Sequence, residues 1–159
     1  MKKGRKKKLD IGFVEFLIVE EVCVKDWLSV VARFRSQMLH KSEWTHEAHL
    51  VVALWHLLKF GDVHSALCQL RAGIILHNHS VGIKNTESSG YHETITVFWV
   101  NQIKEFISGQ PSKDFDILVQ KLLQDTPFAQ KDYILRFYAK EILKSKEARG
   151  LYVAPEAVR

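Results

Sequence analysis

Apolar residues recur at three- and four-residue spacing from position 26 onward, which is typical of helices that bury one face. The first such segment follows Asp26, a good N-cap, and runs to the polar break at 40–43. The second follows Thr45 and ends at Gly61, the expected left-handed stop. The predicted buried face of the first helix is Trp27, Val30, Val31, Phe34 and Met38, and that of the second is Leu50, Leu54, Leu57 and Leu58.

The same pattern predicts further helices beyond Gly61. The third begins after Asp62 and reaches His77, and the Ser-, Gly- and Asn-rich residues 80–90 form a loop. A fourth helix, capped by Ser88 or Ser89, ends at the break 108–111. A fifth spans about 113–124, a sixth starts after Thr126-Pro127 and carries Phe128, Ile134, Leu135, Tyr138 and Ile142, and 150–159 form an extended tail ordered against the bundle.

Length and composition fit one globular domain. A chain of 159 residues can bury about 70% of its unfolded surface without a disulfide or metal. The hydrophobic content of 47% and the charged content of 26% exclude a disordered chain. We therefore predict an all-α, single-domain antiparallel helical bundle of about five to six helices over residues 10–159, preceded by a basic tail at 1–9.

The net charge of +5 comes from that tail. Six of the 23 Lys and Arg residues lie between positions 2 and 8, and the others nearly balance the 18 Asp and Glu residues. Such a run is typically a solvated terminus and less often an arm for nucleic acid or anionic lipid. A nucleic-acid partner is therefore not favoured by the charge.

The apolar run Ile11 to Val24 is neither an export signal nor a membrane span. Three glutamates interrupt it, no small-residue cleavage site follows, and it is too short to cross a bilayer. Its composition suits a helix or a strand. With only Cys23 and Cys68, no disulfide framework is indicated, and we expect a cytoplasmic protein without a membrane partner.

Histidines mark the ends of three predicted helices. Short connections make successive helices antiparallel neighbours, so the start of the second, the end of the third and the start of the fourth lie at one end of the bundle. His56 and His64 fall elsewhere and are expected to be bystanders. The residues predicted to converge are His46, His49, His77, His79, His92 and Glu93.

Several imidazoles beside a carboxylate are a typical ligand set for a divalent transition metal. His46, His49 and His92 are the candidate ligands, with His77 or Glu93 completing the shell around zinc, iron, manganese or nickel. Glu93 or Glu47 is the candidate catalytic base for a metal-bound water. Helix N-termini at 46 and 92 would attract a small polar or anionic substrate.

Other interpretations of the same residues stay open. Without a metal, His92 is a candidate acid or base, with Tyr91, Thr94 and Thr96 orienting a polar substrate. Arg71, in an apolar helix, is expected to be ion-paired or to extend its charge to the surface. The alternative function is a non-catalytic helical module for a protein or nucleic-acid partner, in which the histidines are incidental. The sequence leaves homo-oligomerisation undecided.

Two resemblances follow from the motifs. Over about residues 40–156 the chain resembles a family of small, uncharacterised bacterial helical proteins, which implies a discrete soluble domain and no particular activity. The clustered histidines are also similar in architecture to DinB-like metal-dependent helix bundles, but the late His-x-x-x-His pair of that type is missing. The motifs that carry the first resemblance are Trp44-Thr45-His46-x-x-His49-Leu50, Arg71-Ala72-Gly73, Tyr91-His92-Glu93-Thr94-Ile95-Thr96, Ser145-x-Glu147-Ala148-Arg149 and Val153-x-Pro155-Glu156.

Overall fold

The computed structural model describes residues 25–155, and all regular secondary structure in that range is helical, which confirms the all-α prediction. The predicted basic tail and the run Ile11 to Val24 lie outside the described residues. No helix between 25 and 155 has both the length and the apolarity needed to cross a membrane. The α-helices are α1 (Trp27–Arg35), α2 (His46–Phe60), α3 (Val63–Ser80), α4 (Glu93–Ser108), α5 (Phe115–Gln124), α6 (Lys140–Lys144) and α7 (Lys146–Gly150), with 3-10 turns at Lys41–Glu43, Pro127–Ala129 and Tyr133–Arg136.

The helix α2 is the centre of the bundle. It contacts α1, α3, α4 and α5, so most of its circumference faces protein rather than water. A helix surrounded in this way is apolar nearly all round, which is why its buried set is wider than the single leucine stripe predicted from the sequence. Its buried residues are Ala48, Leu50, Val51, Val52, Ala53, Leu54, His56 and Leu57.

Three predicted N-caps are confirmed. The Asp26 carboxylate accepts the Ser29 N–H, the Thr45 hydroxyl accepts the Ala48 N–H, and the Asp62 carboxylate accepts the Ser65 N–H. Each satisfies a backbone donor that the first turn of a helix leaves without a partner. Gly61 also ends α2 in the predicted left-handed conformation, with φ 80°.

The prediction that the first helix continues to Met38 is wrong. α1 ends at Arg35, and Gln37 adopts a left-handed conformation with φ 63°. Past this turn the helical burial pattern is lost: Met38 is 74% exposed, and Leu39 is buried. The carbonyl of Arg33 accepts the N–H groups of both Met38 and Leu39, which fixes the turn.

The predicted cap of the fourth helix is also wrong. α4 begins at Glu93, and the cap is His92, whose Nδ1 accepts the Ile95 N–H at 3.3 Å. Ser88 and Ser89 instead donate their N–H groups to the Thr86 hydroxyl in a separate turn. A histidine is an uncommon cap, so the usual preference for serine pointed to the wrong residue.

The sixth predicted helix is not a single helix. Its residues form two 3-10 turns and the short helices α6 and α7. Ser145 breaks the last part with an extended backbone, ψ 148°, and its hydroxyl caps α7 by accepting the Ala148 N–H. The break turns α7 back onto α4.

The extended C-terminal segment is ordered against the bundle, as predicted, through residue 155. The buried Thr94 hydroxyl donates to the Leu151 carbonyl at 2.9 Å and accepts the Val153 N–H at 3.0 Å. The Tyr138 hydroxyl donates to the Val153 carbonyl. Hydrogen bonds from these side chains to its backbone hold the segment, whereas the side chains of Leu151 and Tyr152 are exposed.

Candidate ligand cavity

A cavity of about 390 Å³ opens where the end of α3 meets the starts of α2 and α4. The loop 81–92 closes one side of it. Its wall is mainly apolar and aromatic, and no Asp, Glu, Lys or Arg of the described residues lines it. The lining residues are Trp44, His49, Ala53, Leu70, Ile74, Asn78, Ile83, Ser89, Gly90, Tyr91, His92, Ile95, Thr96, Trp99 and Val100.

His49 presents a free imidazole to this cavity. The residue is exposed to the cavity space, and no hydrogen bond joins its ring to any described residue. Burial, together with the nearby His46 and His77, lowers the pKa of His49 to about 3. The imidazole is therefore neutral at physiological pH, with one N–H donor and one nitrogen acceptor.

Trp44 forms the adjoining wall. Its indole stacks on Phe34 with ring centroids 4.6 Å apart and meets the His49 ring edge to face at 3.9 Å. Phe34 can approach α3 because residue 73 is glycine: a Cβ there would lie 3.0 Å from the phenyl ring. The stack fixes the position of Trp44 from behind.

His77 lies behind Trp44 rather than in the cavity. Its ring centroid is 5.2 Å from that of Trp44, and the residue is completely buried. Neither ring nitrogen has a hydrogen-bond partner among the described residues. Burial lowers the pKa of His77, so the ring is neutral and carries two unsatisfied polar atoms.

The other two candidate metal ligands already have partners. His92 lines the cavity, but its Nε2 donates to the Leu143 carbonyl at 2.8 Å while its Nδ1 caps α4. His46 lies beside Trp99, with ring centroids 5.1 Å apart, and its Nε2 donates to the Phe128 carbonyl at 2.7 Å. Both rings therefore serve to connect α2 and α4 to the C-terminal half of the chain.

The predicted convergence of histidines occurs around the cavity, but not as a cluster. His49 and His92 line the cavity, whereas His46 and His77 each lie one aromatic ring away from it. Within residues 25–155 no group of three or more His, Cys, Asp or Glu side chains is placed to hold a metal ion. Metal binding by His46, His49, His77 and His92 stays a prediction, and it requires two of them to give up hydrogen bonds.

Glu93, a candidate base, is part of an ion pair. Arg71 donates through its Nε to Glu93 Oε2 at 3.0 Å and through a terminal nitrogen to Oε1, and the Tyr91 hydroxyl donates to Oε2 at 2.6 Å. The Arg71 hydrogen bond holds the pKa of Glu93 below its usual value. Arg71 is thus paired, as expected, and Glu93 does not line the cavity.

Glu47, the other candidate base, lies in the first turn of α2 and is also absent from the cavity wall. Hydrogen bonds from the Thr45 side chain and from its own backbone lower the pKa of Glu47. Glu47 and Glu93 are the acidic residues in the first turns of α2 and α4. Each supplies the negative charge that a helix N-terminus favours, which the sequence had suggested a ligand would supply.

Asn78 and the loop residues Asn85 and Gly90 were not recognised from the sequence as parts of the site. Asn85 Oδ1 accepts the Tyr91 N–H at 2.8 Å and a hydrogen bond from Asn78 at 3.0 Å. Gly90 has φ 80°, and a Cβ there would lie 2.9 Å from the Lys84 carbonyl oxygen. The glycine before Tyr91 was the available signal, since only glycine tolerates both conditions easily.

No family model matches the chain, and no curated protein or solved structure is significantly similar to it. The two resemblances noted for the motifs accordingly stay predictions. What the protein does has to be inferred from the chemistry of the cavity.

Proposed function

We propose that this protein binds a small neutral molecule in the cavity at His49. The observation that carries the proposal is a free, neutral imidazole facing about 390 Å³ of mainly apolar space. An apolar pocket with a few polar groups that converge on it is the usual form of a small-molecule site. The cavity is built by the same helix ends that the histidine pattern identified.

The sequence left a polar or an anionic ligand open, and the charge of the wall supports a neutral ligand over an anionic one. No cationic side chain within residues 25–155 lines the cavity, so an anion would lose its hydration without gaining an ion pair. A cation would also lack an ion-pair partner, because no Asp or Glu within residues 25–155 lines the cavity. The Arg71 charge is already neutralised by Glu93.

The volume supports a ligand of modest size. An apolar cavity of about 150 Å³ accommodates benzene, so about 390 Å³ suits a ligand on the order of 15 non-hydrogen atoms. Such a ligand would bury most of its surface against Trp44, Trp99 and the aliphatic side chains of α3 and α4.

The chemistry of His49 supports binding rather than acid–base catalysis. A general base works best when its pKa lies near the operating pH, and the pKa of His49 is about 3. Glu93 and Glu47 have lowered pKa values and lie outside the cavity wall. His49 is better suited to exchange hydrogen bonds with a ligand than to remove its proton.

Three probes of similar size test the sign of the ligand charge: benzyl alcohol, benzoate and benzylamine, titrated while the ¹H–¹⁵N spectrum of the protein is recorded. We expect benzyl alcohol to bind most tightly and to shift resonances of residues around His49. Tighter binding of benzoate, or shifts only on the outer surface, would contradict the proposal. Zinc is titrated separately, and submillimolar binding lost in His49→Ala would favour the metal interpretation.

A filled cavity provides the matched control. Ala53 lines the cavity on α2, whereas Ala72 is exposed on α3 and does not line it. Ala53→Leu should occupy ligand space and weaken benzyl alcohol binding at least about tenfold, a loss of about 1.4 kcal/mol. Ala72→Leu, the same change outside the cavity, should leave the affinity unchanged.

A further inference from the structure

The orientation of the Asn78 amide is fixed by its neighbours. Asn85 Oδ1 accepts the backbone N–H of Tyr91 at 2.8 Å, and a backbone N–H can only donate. The atom of Asn85 at this point is therefore the oxygen. Asn78, 3.0 Å from the same oxygen, has to present its NH₂ group there. Its own amide oxygen consequently points to the other side of the side chain.

That oxygen is an acceptor without a donor. Asn78 is only 4% exposed and lines the cavity. No hydrogen bond reaches its Oδ1 from any described residue, yet this atom is not sealed within the protein. Asn78 lines the cavity, which is therefore the space that we assign to this oxygen. A ligand that covered this oxygen without offering an N–H or O–H group would leave a buried acceptor unsatisfied, which is costly, whereas a ligand with such a group would satisfy it.

Two indoles supply the apolar surface of the same cavity. Trp44 is held by its stack on Phe34, and Trp99 is held by Phe98 and Phe128, with ring centroids 5.1 Å and 5.8 Å away. Aromatic side chains that are fixed in this way favour flat aromatic partners in offset or edge-to-face arrangements. The aliphatic part of the wall has no preference of this kind.

We infer that the ligand is a neutral aromatic molecule that donates an N–H or O–H group to Asn78 Oδ1. This inference rests on the proposed function and narrows it to a chemical class. His49 adds a second polar contact, since its neutral ring can accept from or donate to the same molecule.

Two isomers test the donor without a change in size. 3-Methylindole keeps the ring N–H, whereas 1-methylindole carries its methyl group on that nitrogen and has no donor. Because a buried acceptor left without a donor is costly, 3-methylindole should bind at least about fivefold more tightly. Each is titrated into the wild-type protein and followed by ¹H–¹⁵N NMR.

Two variants test whether Asn78 causes the difference in affinity between 3-methylindole and 1-methylindole. In Asn78→Ala the ratio of the two affinities should fall to about one, even where both affinities change. Thr96→Val removes a different hydroxyl from the cavity wall at nearly constant shape, and it should preserve the ratio. A ratio that persists in Asn78→Ala would assign the donor contact elsewhere and overturn the inference.

The outcomes separate this inference from the proposed function. Equal binding of the two isomers to the wild-type protein overturns the donor inference but leaves neutral-ligand binding intact. Tighter binding of 3-methylindole supports both. Failure of both isomers and of benzyl alcohol to bind at millimolar concentrations overturns the proposed function, and the inference with it.

Discussion

The indole of Trp44 meets the imidazole of His49 edge to face, with ring centroids 3.9 Å apart. The two residues flank the Thr45 cap, so the start of α2 fixes their separation. Within the Trp-Thr-His-x-x-His motif, Trp44 therefore forms part of the cavity wall and His49 supplies a polar group that faces the cavity. His46, the other histidine of the motif, faces Trp99 and the Phe128 carbonyl instead.

The buried His77 should reduce stability, because both of its ring nitrogens lack hydrogen-bond partners among the described residues. His77→Leu should raise the free energy of unfolding by about 1 kcal/mol or more, measured by urea denaturation. The control is His56→Leu: that buried ring donates to the Val52 carbonyl at 2.7 Å, so its loss should bring no gain. A clear loss of stability in His77→Leu would show that the ring has an essential partner.

Stability should fall as the pH decreases from 7 to 5. Burial lowers the pKa of His49, His56, His77 and His92, so the unfolded chain binds more protons than the folded protein below pH 6.5. The free energy of unfolding should therefore fall steadily as these histidines become protonated in the unfolded chain. Carboxylates contribute only nearer their usual value of 4.5, outside this interval. A flat urea midpoint between pH 7 and 5 would count against these assignments.

The ion pair of Arg71 with Glu93 should stabilise the protein more than a fully exposed ion pair does. The Glu93 side chain is 13% exposed, whereas Lys146 and Glu87 form a pair exposed by more than 70% on both sides. Glu93→Gln should lower the free energy of unfolding by about 1–2 kcal/mol, after allowance for the partial exposure of Arg71. Glu87→Gln should change it by less than about 0.5 kcal/mol. Equal losses of stability in Glu93→Gln and Glu87→Gln, measured by chemical denaturation, would contradict a larger contribution from the Glu93 ion pair.

Gly90 should tolerate a side chain less well than Gly82 does. Both have positive φ, 80° and 75°, but a Cβ at Gly82 meets nothing within 4 Å, whereas one at Gly90 approaches the Lys84 carbonyl oxygen to 2.9 Å. Gly82→Ala should cost only the left-handed backbone, about 1–2 kcal/mol, and Gly90→Ala should cost more. Gly90→Ala should also weaken benzyl alcohol binding, because Asn85 and Tyr91 would move. Similar losses of stability in the two variants would contradict the close packing at Gly90.

Local signals in the sequence were sufficient for the starts of α1, α2 and α3 and for the end of α2. Each capping contact spans only a few residues, so the helix boundaries could be predicted from the residues that form them: Asp26, Thr45, Gly61 and Asp62. The break at Ser145 was not predictable from local pattern. It is supported by contacts from distant residues, since His92 donates to the Leu143 carbonyl and Arg149 donates to the Gly90 and Tyr91 carbonyls.

The cavity was harder to predict than the helices for a related reason. Leu70, Ile74, Ile95 and Val100 have the spacing of ordinary core residues, and nothing local distinguishes a filled interior from a hollow one. Histidine positions did locate the correct end of the bundle. Which imidazole remains free depends on carbonyl oxygens from residues far along the chain, such as Phe128 for His46.

The side-chain ¹⁵N resonances of His49 test the central claim most directly. A free neutral imidazole inside the cavity should keep the nitrogen shifts of a neutral ring from pH 7.5 to pH 5, because its pKa is about 3. The same resonances should move when benzyl alcohol or 3-methylindole saturates the protein. A His49 ring that titrates near pH 6.5 and does not respond to either molecule would contradict the account.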